Sequence, residues 1–250
     1  MVISRSNLGS RGQPELSRRA ILEAALQEFA AQGVTGARMD TIAELAGVNK
    51  ALLYYYFGDK EALYGAVLDR TFEELMVRLH AVLDRQVAPG EKLLLYVGTH
   101  FDFIAAHPLY PRVVQHELMR AGSGRSPHLE RIVERFFRPT MGRLAVVLRE
   151  GSAAGVFRTV QPQQFLMSMV AVIVFYFSNT PIARSVRKVD PLAREMLIER
   201  RAAVLDFISA AIFCDPLEAQ RVLSLEEIAQ PAFFTASVVP SGTPHRGKRK

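Results

Sequence analysis

The 250-residue chain is predicted to be an all-α protein with two helical domains. Apolar residues recur at the three- and four-residue spacing of a helix face, and no stretch alternates apolar and polar residues over the length of a strand. Proline and glycine separate the helical stretches, most strongly at Pro89-Gly90. Because 49% of the residues are hydrophobic, the chain can bury a core of ordinary size.

Four helices are predicted before that break. The first runs from Ser17, as its N-cap, through residue 32, and Gly33 ends it. The other three are predicted over 39–46, 49–57 and 60–86. Asp59 stands directly before the fourth helix and has the side chain of an N-cap. These four helices are expected to form a compact N-terminal unit.

Five further helices are predicted over 91–106, 109–120, 127–150, 162–179 and 190–213. An amphipathic segment after Pro216 is expected to pack on their outside. The longest apolar run, FLMSMVAVIVFYF at 165–177, has thirteen residues. A helix that crosses a bilayer needs about 20, so we expect this run to be buried in protein rather than in a membrane.

Charge and cysteine content narrow the possible partners only a little. The net charge of +6 does not indicate nucleic acid by itself, because four of those charges lie in the last six residues, HRGKRK. The single cysteine, Cys214, excludes an internal disulfide and a cysteine-rich zinc site, and we expect it to be buried. The first twenty residues lack the apolar run of a secretory signal, so a cytoplasmic location is expected.

Residues 41–57, TIAELAGVNKALLYYYF, have the pattern of a helix-turn-helix. Gly47 suits the left-handed turn between two short helices, because other residues resist that conformation. Leu53 and Phe57 are four residues apart, so both are predicted to point into the same core. This places the opposite face of the second helix outside, where it suits the major groove of DNA.

The outward face of that second helix carries Lys50, Ala51, Tyr54 and Tyr55. A tyrosine is a rigid side chain whose hydroxyl suits a phosphate oxygen. Tyr56 is turned about 100° from its neighbour, so we expect its ring to be partly packed against the first or fourth helix. The alternatives are a core aromatic cluster for the outward tyrosines and ordinary solvated side chains for the lysines.

Further motifs surround the helix-turn-helix. They are Ala24, Ala25 and Phe29 in the first helix; Ile42, Ala43, Ala46, Gly47 and Val48 in the second; LYYYF in the third; and Lys60, Glu61 and Leu63 in the fourth. Together, over residues 17–69, they resemble the N-terminal domain of the TetR/AcrR family of bacterial transcription regulators. In that family the start of the recognition helix approaches bases, while tyrosines and the lysine that opens the next helix bind phosphates.

The resemblance implies a DNA-contacting set of nine residues. They are Arg38, Thr41, Asn49, Lys50, Ala51, Leu52, Tyr54, Tyr55 and Lys60. Two of them depart from the family pattern. Arg38 stands where threonine or serine usually caps the second helix, and Leu52 replaces a common threonine, so it offers only an apolar contact such as one to a thymine methyl group.

The resemblance also implies a domain organisation. A flexible segment at 1–14 precedes a helix-turn-helix domain at 15–75, with the motif at about 38–57; an effector-binding and dimerisation domain follows at 76–230, and a disordered basic tail at 231–250. One recognition helix reads too few base pairs for a specific site, so a homodimer on a palindromic operator is expected. The residues predicted to form the dimer interface are Met169, Val172, Phe175, Val204 and Ile208.

An effector pocket is implied between the two interface helices and the helices at 91–150. Its candidates are Tyr96, His100, Phe103, His116, Glu117, Met119, Phe165 and Tyr176, with ordinary core packing as the alternative for each. A buried Glu117 is the most informative of them, because a buried carboxylate needs a cation, an arginine or a ligand. His100 and His107 are poorly spaced for a shared metal, so neither metal nor cofactor is predicted.

The predicted function is therefore DNA-binding transcriptional regulation, by a repressor that a small-molecule effector releases from its operator. The alternative is an architectural or cell-division protein that uses the same fold to bind DNA without an effector. The sequence contains no phosphate-binding loop, nucleophile elbow or paired-carboxylate motif, so no enzyme activity is predicted.

Overall fold

The computed structural model describes residues 14–234, and these fold into thirteen α-helices without a β-strand. The predicted all-α fold is confirmed. Residues 1–13 of the predicted flexible segment and residues 235–250 of the predicted tail lie outside the described residues.

The helices follow one another with short connections. They are α1 (Pro14–Gly36), α2 (Met39–Ala46), α3 (Lys50–Phe57), α4 (Lys60–Leu83), α5 (Pro89–Ala106), α6 (Tyr110–Gly122), α7 (Leu129–Ile132), α8 (Arg138–Ala153), α9 (Pro162–Ser178), α10 (Thr180–Arg187), α11 (Arg194–Ile212), α12 (Pro216–Leu223) and α13 (Glu226–Ala229). A π-helical turn over Val133–Phe137 joins α7 to α8, and a 3-10 turn over Ala232–Phe234 follows α13.

Prolines account for three differences from the predicted boundaries. Helix α1 begins at Pro14, where a missing amide hydrogen costs nothing, and not at Ser17, which is buried inside it. Residues 180–187 form α10 rather than a loop, because Pro181 again occupies a first turn. The predicted helix at 127–150 is divided by the π-helical turn, which ends two residues before Pro139.

Gly33 interrupts α1 and lets α6 approach it. Its φ of 64° is the left-handed conformation, which a side chain resists. A Cβ atom at this position would lie 3.2 Å from Nδ1 of His116, so the histidine ring packs directly on the kink. The helices after Pro89 therefore contact the N-terminal helices through α1 as well as through α4.

The N-terminal core lies between α1, α2, α3 and α4. Its fully buried side chains include Ile21, Phe29, Ile42, Leu53 and Leu63. Burying such a side chain contributes about 1.5–3 kcal/mol relative to leaving it in water. The short helices α2 and α3, of eight residues each, depend on this packing, because isolated helices of that length are not stable in water.

Helix α5 is the centre of the second group. It contacts α4, α8, α9 and α11 as well as the segments after α11. Its interior side chains Leu93, Leu94, Val97 and Phe101 are fully buried. A helix covered on this many sides needs apolar residues around most of its circumference, and α5 has them.

A buried ion pair joins α5, α11 and the C-terminal segment. Arg201 donates from Nε to Asp102 Oδ1 at 2.7 Å and from Nη1 to the carbonyl oxygen of Ile228 at 2.5 Å. Asp102 also accepts from the amide of Ala232. Burial raises the pKa of Asp102, while the guanidinium of Arg201 opposes that shift. The chain is therefore anchored past the predicted start of a disordered tail at 231, and Phe233 is buried.

Two expectations about the surface can be compared with the structure. Cys214 is exposed, so the expectation that it is buried was wrong. Phe213 takes the inward position beside Phe157, and its extended backbone turns the next residue outward. Within residues 14–234 no single helix has the length and apolar character to cross a bilayer, and α9 with α10 passes that test only as a pair bent by 68°.

Candidate nucleic-acid interface

The turn between α2 and α3 is fixed by three consecutive residues. Gly47 has a φ of 67°, and the amide of Val48 donates to the carbonyl oxygen of Ala43 at 3.0 Å, which closes α2. The side chain of Asn49 then accepts from the amide of Leu52 at 2.9 Å and so caps α3. Asn49, predicted to contact DNA, thus also has a structural role at the start of the recognition helix.

The tyrosine row of α3 divides between the core and the solvent. Leu53 and Phe57 are buried, as predicted from their spacing. Tyr54 is 45% exposed and Tyr55 is 80% exposed, so neither belongs to a core aromatic cluster. Tyr56 is half-buried, and its ring lies edge-on to that of Tyr55 with centroids 5.3 Å apart. The alternative of a buried aromatic cluster is excluded by these exposures.

Lys50 opens the recognition helix and carries an intrachain partner. Its Nζ lies 2.8 Å from Oδ1 of Asp40 on α2, and both side chains are largely exposed. This ammonium lowers the pKa of Asp40, and the carboxylate in turn raises the pKa of Lys50. An exposed pair of this kind contributes little to stability, so it leaves Lys50 able to exchange the carboxylate for DNA.

The start of α2 is capped from another helix. Arg38 occupies the N-cap position without a side-chain hydrogen bond, while its amide donates to Glu28 Oε1 on α1 at 3.1 Å. A carboxylate near a helix N-terminus is favourable, so the missing threonine or serine is replaced. The side chain of Arg38 is exposed, and Thr41, one turn later, is half-buried.

Helix α4 begins next to this surface. The side chain of Asp59 accepts from the amide of Ala62 at 2.8 Å, so the predicted N-cap is confirmed. Lys60 donates from Nζ to the carbonyl oxygens of Ala37 at 3.1 Å and Thr35 at 3.3 Å. Two of its three donors thus tie α4 to the α1–α2 connection, which leaves one for a phosphate.

Comparison with known proteins decides the family. Residues 21–67 match the family described as bacterial regulatory proteins, tetR family. Residues 89–208 match the tetracyclin repressor-like C-terminal domain. The transcriptional repressor SCO4008 of Streptomyces coelicolor is 31% identical over 160 residues, which are 64% of this chain and 77% of that one.

The chain belongs to the TetR family. It is a DNA-binding transcriptional regulator, and its relatives are regulators rather than enzymes. The repressor NicS of Pseudomonas putida is 29% identical over 182 residues, or 71% of this chain and 84% of that one. The ketosteroid transcriptional regulator KstR2 of Mycobacterium tuberculosis has the same fold, with a TM-score of 0.60, 23% identity and coverage of 79% of this chain and 95% of that one.

In this TetR-family chain a row of ion pairs, extended by a hydrogen bond between His128 and Glu61, joins α4 to α6 and α7. Glu61, in the first turn of α4, lies 2.9 Å from Nη2 of Arg120 and 2.8 Å from Nε2 of His128. Further along α4, Asp69 pairs with Arg131. The partners in each pair are about sixty positions apart in the sequence, so local spacing does not relate them. This row was therefore not predicted from the sequence.

Close approach makes this row possible. A Cβ at position 65 would lie 2.8 Å from the ring of His128, so Gly65 leaves the space that the ring occupies. Tyr64 is fully buried beside it, with its ring 5.0 Å from that of Phe29 and 5.3 Å from the guanidinium carbon of Arg120. The start of α4 is thus held from α1, α6 and α7 at once.

The eight candidate effector residues lie in several different environments. Tyr96, His100 and Phe103 are buried along one face of α5. His116 packs on the kink in α1, and Met119 is 69% exposed. His116 thus contacts α1 and Met119 faces the solvent, and an effector contact for either of them stays a prediction.

The other three candidates occupy separate places. Glu117 is buried, and its carboxylate accepts from Ser126 and from Arg120, so a protein cation satisfies it without a ligand. Tyr176 is half-buried and donates to the carbonyl oxygen of Pro191 at 2.6 Å. Phe165 lines a surface groove between α9 and α11.

His100 is the unusual member of the set. Its Nδ1 is buried without a hydrogen-bond partner, and its ring lies edge-on to Tyr96 with centroids 6.1 Å apart. Burial lowers the pKa of His100 to about 4, so the imidazole is neutral at physiological pH. His107 has a different environment, since its Nδ1 contacts the carbonyl oxygen of Phe103 and its ring stacks on Tyr110. No group of three metal-ligating side chains occurs within residues 14–234.

The five predicted interface residues divide in the same way. Met169, Val204 and Ile208 are buried in the core of their own subunit, so their side chains do not reach the surface. Val172 is half-buried and Phe175 is 64% exposed. The large apolar side chains that α9 and α11 do expose are Met167, Phe175, Ile198 and Phe207. The run at 165–177 is apolar all round, so the sequence gave no indication of which side faces inward.

Proposed function

We propose that this protein is a homodimeric repressor that binds a palindromic operator through α3 and is released by a small-molecule effector. The observation that carries the proposal is the division of α3: Leu53 and Phe57 are anchored in the core, while Lys50, Tyr54 and Tyr55 are exposed. A helix held from one side with cationic and phenolic groups on the other suits the major groove.

Within this proposal the nine DNA-contacting residues have graded roles. Lys50, Ala51 and Leu52 at the start of α3 face base edges, and Thr41 and Asn49 lie beside them. Tyr54, Tyr55, Arg38 and Lys60 hold the phosphates. Arg38, Lys50, Ala51 and both tyrosines are exposed, and Leu52 and Lys60 are half-buried, which supports this division. The name of SCO4008 as a repressor supports repression.

A dimer supplies the second recognition helix. We place its interface on the exposed apolar side chains of α9 and α11 rather than on Met169, Val204 and Ile208, which are buried. Met167, Phe175 and Phe207 are each more than half exposed. An exposed apolar patch of this kind is costly in water and marks a contact with another molecule.

The ion-pair row along α4 gives the effector a route to the DNA. Arg120 and His128 bind Glu61 in the first turn of α4, and Lys60 ties the same turn to the connection before α2. A ligand that shifts α6 and α7 therefore moves the base of the helix-turn-helix. It weakens DNA binding if it prefers a spacing of the two recognition helices that the operator does not fit.

Selection from random-sequence DNA tests the operator. Fragments that the full chain retains should converge on a two-fold symmetric sequence whose half-sites lie about 10 base pairs apart or at a multiple of that spacing. Convergence on a single unsymmetrical half-site would contradict the dimer, and no convergence would contradict sequence-specific regulation.

A thermal-shift screen of small molecules tests the effector. A compound at a hundredfold excess over its Kd should stabilise the protein by about 2.7 kcal/mol, and it should lower the affinity for the selected operator. Compounds that stabilise the protein without changing DNA affinity would favour the architectural alternative.

A further inference from the structure

Helix α10 is the least covered helix of the subunit. Of the thirteen described helices, α10 alone has no buried residue. Ile182 is 60% exposed and Val186 is 76% exposed, and the two lie four residues apart on one face. Val189 extends this stripe just beyond the helix. We refer to residues 180–189 as the arm.

The other side of the arm is already paired within the subunit. Arg184 lies 2.8 Å from the carboxylate of Asp190, and Arg187 lies 3.2 Å from that of Glu199 on α11. Both pairs are exposed and add little stability, but they occupy the two arginines and leave the apolar stripe outward. A helix of eight residues needs packing to persist in water, and within its own subunit the arm has little.

An open groove between α9 and α11 could accept an apolar stripe of this kind. A cavity of about 390 Å³ lies open between α9 and α11. Most of its lining is apolar, with Phe165, Phe207 and Ile208 among the side chains. Its polar lining residues are Arg158, Gln161, Gln164 and Ser168. The exposed apolar stripe and the open apolar groove thus lie at the two ends of one helix, α9.

The arm does not reach the groove of its own subunit. Gln164 and Ser178 are fourteen residues apart on α9, which corresponds to about 21 Å at the helical rise of 1.5 Å per residue. The arm then bends away from α9 by 68°. Within residues 14–234, therefore, the apolar stripe of the arm and the groove do not meet in one subunit.

We propose that the arm of each subunit docks in the α9–α11 groove of a second copy of this chain. The proposal rests on the dimer of the proposed function and adds a contact to it. If a two-fold axis makes α9 antiparallel to α9 of the second copy, the C-terminus of one helix lies beside the N-terminus of the other. The arm follows the C-terminus, and the groove lies at the N-terminus. The contact is then made twice, since in a two-fold dimer each patch meets its counterpart.

The charges of the arm favour a copy of the chain over an anionic membrane. Arg184 and Arg187 are both neutralised by carboxylates of the same subunit. Lys188 is exposed as well, but a single lysine attracts an anionic bilayer only weakly. The aliphatic stripe, in contrast, matches the apolar side chains that line the groove. In a dimer formed through α9 and α11, the groove of the partner subunit is also held close to the arm, so its effective concentration is high.

Disulfide trapping tests the contact. All proteins carry Cys214→Ser, which removes the exposed native thiol. Full-length Ile182→Cys is mixed with full-length Gln164→Cys and oxidised with diamide, after sedimentation under reducing conditions has measured the dimer. A bond needs the two Cα atoms within about 7 Å, so the mixture should give a covalent heterodimer well above either variant alone.

The outcomes separate this proposal from the dimer itself. A reduced dimer without the covalent product would overturn arm docking and leave the proposed function standing, whether the groove then holds an effector or nothing. A monomer in sedimentation would overturn both. Val186→Asp gives a second measurement: we expect its dimer Kd to rise at least tenfold, while Val77→Asp, at an equally exposed site on α4, leaves the Kd unchanged. Equal Kd values for the two variants would also overturn arm docking.

Discussion

Arg120 Nη2 on α6 lies 2.9 Å from Oε1 of Glu61 at the start of α4. The same guanidinium also pairs with the buried carboxylate of Glu117. One side chain thus holds the base of the helix-turn-helix to the second group of helices. Its removal has two consequences: α4 loses a tie, and a buried carboxylate loses its cation.

Arg120→Ala should therefore destabilise the fold strongly. We expect the free energy of unfolding to fall by about 3 kcal/mol, because a buried carboxylate without a cation is costly. Arg112→Ala, an exposed position on the same helix, should change it by about 0.5 kcal/mol or less. Urea unfolding of both variants makes the comparison, and similar midpoints for the two would contradict the role given to Arg120.

We expect Asp40 to compete with DNA for Lys50. Asp40→Asn should tighten operator binding, because Lys50 no longer exchanges a carboxylate for DNA. Glu44→Gln removes the same charge from an exposed position of the same helix and serves as the control for long-range electrostatics. Fluorescence anisotropy at one salt concentration compares the two. Equal affinities would mean that the pair with Lys50 is irrelevant to DNA binding.

Lys50 itself should affect base preference. Lys50→Ala is expected to change discrimination at one operator position by roughly 1–3 kcal/mol, as for other side chains that reach base edges. Competition with single-base operator variants measures this. A uniform loss of affinity for all of them would instead make Lys50 a phosphate contact.

His100 should make stability depend on pH. Its folded pKa is about 4 and its unfolded pKa is about 6.5, so the unfolded chain takes up the proton first. Stability should therefore decrease as pH falls from about 6.5 to about 4, by up to about 3 kcal/mol. In His100→Leu this contribution should be absent, and the difference between the two unfolding curves measures it. A difference that is independent of pH would contradict a buried neutral imidazole.

The interface prediction depends on exposed rather than buried positions. Phe175→Glu, at a site 64% exposed, should leave the fold intact and give monomers in sedimentation velocity, because it places a charge in the apolar contact. Val77→Glu, at an exposed site on α4, should remain dimeric. Persistence of the Phe175→Glu dimer would place the interface elsewhere.

The helix-turn-helix was predictable because its determinants are local. The four-residue spacing of Leu53 and Phe57, the turn at Gly47 and the cap at Asp59 depend on neighbours in sequence, and all three are confirmed. Long-range pairs were not predictable, since Asp102 and Arg201 are ninety-nine residues apart and nothing in their local pattern relates them.

The sequence also could not show which residues are buried on a helix that is apolar on every side. Met169 and Phe175 belong to the same run, yet one is fully buried and the other mostly exposed. Helix α10 was missed for another reason: Pro181 and Pro191 suggested a loop, although proline is tolerated in a first helical turn. Packing between elements, and not periodicity, decided these cases.

The most direct test of the account is operator affinity after removal of the two exposed phenols. Tyr54→Phe with Tyr55→Phe keeps both rings and deletes both hydroxyls, and Tyr56→Phe, at a half-buried ring, is the matched control. Anisotropy with the selected operator and with unrelated DNA should show the double variant weakened on both by a similar factor, while the control is unchanged. Unaltered affinity of the double variant on both DNAs would contradict DNA binding by this face of α3.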